Sequence, residues 1–147
     1  MKAAHRPRYR TRVSPRHVPA SVTELARVGL LAELPGERLT QLAERMVREE
    51  IPGGTVLMRE GDRGEHFYVL LSGMVGVSQQ ALGPRRLLRP GDYFGEVGAA
   101  MDIPRTATVT AITPCVVASC DRDTFEEFIL PLFREGQTLE PVADDGG

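Results

Sequence analysis

From Ser21 onward the apolar positions keep a helical rhythm. Ser21-x-x-Glu24 has the spacing of a capping box, and Leu25, Val28 and Leu31 follow at helical period, which predicts a first helix. Pro35 to Arg48 reads as a second: Pro35 suits an opening turn, and Leu39, Leu42, Ala43 and Met46 share one apolar face. These two short helices form an N-terminal cap on the rest of the chain.

Between Glu49 and Asp121 the rhythm changes. Short apolar runs (Thr55–Met58, Phe67–Leu71, Met74–Val77, Leu87–Leu88, Thr106–Ile112, Cys115–Ser119) alternate with turns such as Pro52-Gly53-Gly54, Gly61-Asp62, Gly83-Pro84 and Pro90-Gly91-Asp92. Strands recurring at roughly ten-residue spacing with Gly-led turns predict an antiparallel barrel or sandwich, read here as a jelly roll. Asp123-x-x-Glu126 then repeats the capping spacing and predicts a short C-terminal helix through Phe125, Phe128 and Ile129, which Pro131 kinks or ends. The fold class is mainly β with flanking helices: an antiparallel jelly-roll barrel over residues 21–136, with an N-terminal helical cap and a short C-terminal helix. Residues 1–20, which mix Arg with Pro7, Pro15 and Pro19, read as a disordered basic arm, and residues 137–147 as a disordered tail.

Composition narrows the function. With 147 residues, 41% hydrophobic and 26% charged, the chain can bury roughly two-thirds of its unfolded surface without a staple. No apolar run approaches the roughly 20 residues that cross a bilayer, so a transmembrane protein is not expected, nor is a secretory leader. Net charge is −2, distributed as +6 over residues 1–20 and −8 over the rest. An acidic body is a poor nucleic-acid surface, so contact with nucleic acid or an acidic membrane would have to come from the arm, for which a solvated tail is the simpler reading. Cys115 and Cys120 are five apart, which in extended chain points them to opposite faces. They read as reduced core thiols of a cytoplasmic protein. His5, His17 and His66 are scattered without metal-ligand spacing. With no Ser/His/Asp or Cys/His arrangement either, the chain is expected to be no enzyme and to carry no cofactor.

One segment departs from plain strand–turn–strand: Phe94-Gly-Glu-Val-Gly98, a small-residue stretch to Met101, and then Pro104-Arg105-Thr106 leading into a strand. Glu96–Met101 has room for one or two helical turns, whose unpaired N–H groups attract an anion. Gly95 and Gly98 have no side chain to block a ligand against the backbone. Arg105, nine residues after Glu96, can return its planar fork to the same concavity, where it suits a phosphate. Glu96 repels phosphate but accepts hydrogen bonds from sugar hydroxyls. Helix start, guanidinium and carboxylate together describe a sugar phosphate.

This stretch resembles the phosphate-binding cassette of the cyclic nucleotide-binding domain family, which includes catabolite-activator proteins, kinase regulatory subunits and cyclic-nucleotide-gated channels. The resemblance extends upstream to Glu60-Gly-Asp-Arg-Gly-Glu-His-Phe-Tyr-Val-Leu70 and Ser72-Gly-Met-Val-Gly-Val77, and covers about residues 25–130. It implies that Glu96 accepts from the ribose 2′-hydroxyl and that the Phe94–Gly98 backbone, including Gly95, Val97 and Gly98, approaches ribose and phosphate. It further implies that Arg105 pairs with the exocyclic phosphate oxygens, that Thr106 and Ala107 line the phosphate–base junction, and that Val77 and Leu88 pack against the base. Glu65 matches an acidic position that orients the cassette arginine. The implied function is a sensor of cAMP, favoured over cGMP, that signals through a partner protein. The alternative is an adaptor module that keeps the fold for protein contacts, with the basic arm as anchor. The family's usual second C-terminal helix, the lid over the base, has no convincing counterpart, because Pro131, Gly136 and Pro141 interrupt any long continuation.

Overall fold

A computed structural model describes residues 18–101 and 103–136 of the protein. The expected capping at Ser21 is present: its side chain accepts from the Glu24 N–H at the head of α1 (Val22–Ala26). A 3-10 turn (Leu31–Glu33) leads to α2 (Gly36–Arg45), which buries Leu39, Leu42 and Ala43. Helix ends two residues short of Val47, because Val47 and Arg48 belong to a strand. β1 (Val47–Ile51) pairs all five of its residues with β8 (Cys115–Cys120), and that ladder overrides the helical reading of this charged segment. Residues 18–20, assigned to the arm from sequence, are also part of the fold. Pro19 bridges Val47, the Arg48 N–H donates to the Val18 carbonyl at 2.7 Å, and Ala20 is buried. The rest of the arm and the tail lie outside the described residues.

The remaining strands are β2 (Val56–Met58), β3 (Phe67–Ser72), β4 (Val75–Gln79), β5 (Gly83–Leu88), β6 (Tyr93–Phe94), β7 (Thr108–Ala111) and β8 (Cys115–Cys120); α3 (Glu96–Met101) lies between β6 and β7. They form two antiparallel four-stranded sheets, β1-β8-β3-β6 and β2-β7-β4-β5, so the jelly roll is a sandwich rather than a closed barrel. Alternation along β3 separates two cores. Tyr68 and Leu70 point between the sheets with Val75, Val77, Leu88, Phe94 and Val109. Phe67 and Val69 point the other way, against Leu25, Leu31, Leu42, Phe125, Phe128 and Ile129 of the helices. The period-2 pleat therefore gives one sheet two buried faces. Cys115 lies in the first core and Cys120 in the second, both unpaired, as their odd spacing implies. Burial pushes the Cys120 thiol well above its ordinary value, which keeps it unreactive.

After β8 the chain enters α4 (Arg122–Thr124), a π-helical stretch (Phe125–Ile129) and α5 (Leu130–Gly136) without a break. The cap is Asp121, whose carboxylate accepts from the Thr124 N–H at 2.9 Å, not Asp123 as the spacing suggested. Pro131 neither ends the helix nor leaves a carbonyl stranded. The Leu130 N–H reaches the Phe125 carbonyl, a widened turn, and the Glu127 carbonyl accepts instead from Arg38 Nη2 at 3.4 Å. Arg38 also lies over the Phe128 ring at 4.0 Å, tying α2 to this segment. Among the described residues, no helix is long and apolar enough to cross a membrane.

Candidate ligand-binding site

α3 begins where β6 must turn sharply. Gly95 has φ +88, and a Cβ there would stand 2.6 Å from the His66 carbonyl oxygen, so only glycine fits. Glu96 follows as the first residue of α3 and is only 3% exposed. Among the described residues its buried Oε1 has no hydrogen-bond partner. Burial therefore pushes the Glu96 carboxyl up to about 7; its own backbone N–H and the more distant Arg86 and Arg105 pull it back only partly.

Arg105 is set by the turn before β3. Its backbone N–H donates to the Asp62 carbonyl at 2.8 Å, and its carbonyl accepts from the Gly61 N–H at 2.9 Å. Its side chain, 7% exposed, donates from Nη2 to the His66 carbonyl at 3.1 Å and from Nη1 to the Gly95 carbonyl at 3.4 Å. The guanidinium packs closely on two glycines. A Cβ at Gly98 would stand 2.5 Å from Nη1, and one at Gly64 would stand 2.8 Å from Nη2. Burial lowers its pKa from the ordinary value, while Tyr68 and Glu96 act in the opposite direction.

Gly95, Glu96, Gly98, Arg105 and Thr106 thus converge on one cleft, with Met58 and Pro104 completing its walls. Its volume is about 10 Å³, room for a single water-sized body. Other expected site residues stand elsewhere. Val77, Leu88, Phe94 and Ala107 are no more than 2% exposed, sealed in the core between the sheets. The Val97 side chain lies outside the described part of α3. Glu65 does not orient Arg105: its side chain is 59% exposed and stands 3.9 Å from Arg122 Nε, whereas Arg105 is held by backbone carbonyls.

Three contributors were missed from sequence. Gln79 Nε2 donates to the Thr106 carbonyl at 3.0 Å across the β4–β7 edge of the cleft. Arg86 adds a positive field at Glu96 from β5, where it stands opposite Val77 in the β4–β5 ladder. Arg122 Nη2 donates to the Gly98 carbonyl at 3.3 Å, a contact across 24 residues that no local pattern announces.

Residues 48–130 match the family described as the cyclic nucleotide-binding domain. A cAMP-dependent protein kinase regulatory subunit of Debaryomyces hansenii is 34% identical over 119 residues, which is 81% of this chain and 26% of that protein. The cGMP-dependent protein kinase egl-4 of Caenorhabditis briggsae is 36% identical over 111 residues, 71% of this chain and 15% of that protein. Among solved structures, the regulatory subunit of a cAMP-independent protein kinase A from Trypanosoma brucei is similar with a TM-score of 0.73 at 27% identity, covering 78% of this chain and 42% of that one. The chain accordingly spans about a quarter of the regulatory subunit it resembles. A glycine-lined cleft with a buried carboxyl and a buried guanidinium, and a family match over more than half of the sequence, lead to one conclusion: the chain belongs to the cyclic nucleotide-binding domain family.

Proposed function

We propose that the protein binds a cyclic nucleotide at the α3 cleft, cAMP in preference to cGMP, and passes its occupancy to a partner protein in the cytoplasm. One observation carries the reading: a carboxyl oxygen of Glu96 is buried without a partner, beside a buried guanidinium that faces two glycines. An unsatisfied buried oxygen is costly, and a sugar hydroxyl supplies the donor it lacks. The Arg105 fork has five N–H groups, enough to keep its carbonyl contacts and still serve a phosphate. The similarity to cAMP-dependent kinase regulatory subunits supports cAMP and an output through a partner.

The enclosed part of the cleft, about 10 Å³, holds only a water-sized body, so a nucleotide rests in its open mouth unless α3 or the Pro104–Thr106 segment shifts outward. A ligand can drive that shift only by its difference in affinity for the two arrangements. On this reading the nucleotide is held and not cleaved, without a further cofactor, and nucleotide incubated with the protein should be recovered intact.

Calorimetric titration of the full chain with cAMP and cGMP tests the proposal. Saturable binding is expected for the wild type, tighter for cAMP. Removing the charged partner of the phosphate with Arg105→Ala should cost on the order of 2–5 kcal/mol. No saturable binding of either nucleotide to the wild type leaves an adaptor that uses this fold for protein contacts.

A further inference from the structure

Glu96 and Arg105 account for holding a nucleotide but not for how occupancy reaches the C-terminal helices. One side chain spans that gap. Arg122 is the first residue of α4, directly after the capping Asp121. Its Nη2 donates to the Gly98 carbonyl at 3.3 Å, and its Nε stands 3.9 Å from Glu65 Oε1. Gly98 is among the last four residues of α3, whose carbonyls find no partner inside the helix, and the negative end of a helix favours a cation. Gly98 is also packed by Arg105, whose Nη1 would lie 2.5 Å from any Cβ there. The loop Gly64–His66 is held by the same two arginines. Arg105 bonds the His66 carbonyl and packs on Gly64, and Arg122 stands beside the Glu65 side chain. Gly98 and this loop are therefore each contacted by two guanidinium groups, one lining the cleft and one rooted in the C-terminal segment.

We propose that Arg122 is a positioning residue: through Gly98 and Glu65 it sets where α3 and Arg105 stand, and it carries nucleotide occupancy into the segment Arg122–Gly136. The second half rests on the proposed nucleotide binding, and the first does not. An anion that draws on Arg105 moves the glycine packed against it, and that movement changes the Arg122 contact at the Gly98 carbonyl. Coupling of this kind is reciprocal, so altering Arg122 alters nucleotide affinity.

The test compares the full chain with Arg122→Ala, Arg122→Lys and Glu65→Gln, using cAMP and cGMP as probes. Affinity is read by calorimetry, and amide hydrogen exchange over residues 122–136 is read with and without saturating nucleotide. Arg122→Ala is expected to weaken binding about fivefold or more and to abolish the nucleotide-induced change in exchange. Arg122→Lys, which still reaches one carbonyl, restores most of both, and Glu65→Gln falls between. A purely structural arginine would lower stability in the alanine variant yet leave the exchange response intact, and that outcome overturns the proposal. If the alanine variant does not fold, the other two decide: wild-type affinity and response in both overturns it. If the wild type binds neither nucleotide, the functional reading fails on its own. The positioning half is then judged from the Gly98 amide and Arg105 Nε resonances of the ligand-free protein. Displacement of these by Arg122→Ala or Glu65→Gln supports it, and unchanged resonances overturn it.

Discussion

Replacing Glu96 by glutamine should make the protein more stable at neutral pH, although it removes a residue assigned to the ligand. The carboxyl is 3% exposed, its Oε1 lacks a partner among the described residues, and burial raises it from 4.5 to about 7. Between those two values the native state holds a proton that the unfolded chain releases. The stabilisation is therefore complete below pH 4.5, declines as pH rises, and is lost above about 7. The gap between the two values corresponds to about 3 kcal/mol. Glutamine cannot ionise, so its variant lacks this decline. Urea unfolding of the ligand-free chain from pH 5 to 8 measures it. Wild-type stability should fall by up to about 3 kcal/mol relative to the variant, with the slope m unchanged. Parallel pH profiles for the two proteins would refute the reasoning, because the buried carboxyl would then not be what titrates. The same charge state bears on the proposed ligand. Only the ionised form is a pure acceptor, so nucleotide binding should weaken below pH 7 and release protons, seen as a buffer-dependent heat of binding.

Three further outcomes are expected from the geometry. Gly98→Ala places a methyl 2.5 Å from Arg105 Nη1 and 2.8 Å from the Gly64 carbonyl, so it should destabilise the chain by about 1–3 kcal/mol and displace the guanidinium, read by thermal melting and by loss of nucleotide binding. Asp121→Ala should cost about 1 kcal/mol through loss of the bond to the Thr124 N–H, whereas Asp123→Ala should be near neutral in the same denaturation assay. The Asp121 effect also depends on pH. The backbone bond from Thr124 holds its carboxyl below the ordinary value, so the stability it adds is present at neutral pH and lost on acidification below about 4.

Local signals were read well where the partner of each group is near in sequence. Ser21 caps α1 through Glu24, three residues away, and Leu39, Leu42 and Ala43 turn inward from α2 with Met46 buried at its C-cap, because helical period is written in neighbouring residues. The Phe94–Gly98 and Arg105 pattern was legible for a related reason. A positive-φ glycine, a carboxylate and a returning arginine within eleven residues leave few arrangements open. Errors fell where a distant partner decides. Val47-Arg48 continues a helix by composition, yet β8, some seventy residues on, recruits it as a strand. Asp121 and Asp123 offer equivalent capping chemistry, and only the end of β8 at Cys120 selects the first.

By itself the sequence determined the alternation that builds two sheets, the helical caps, and the identity of the carboxyl and guanidinium that belong to one cleft. Only the tertiary structure decided their condition. It buried Glu96 with Oε1 lacking a donor among the described residues, drew Arg105 back onto the His66 and Gly95 carbonyls, and sealed Val77 and Leu88 in the core. It also gave Glu65 to Arg122 instead of Arg105. The physical reason is that period and turn chemistry act between neighbours along the chain, whereas desolvation and ion pairing depend on which surfaces meet once the sheets have closed over each other.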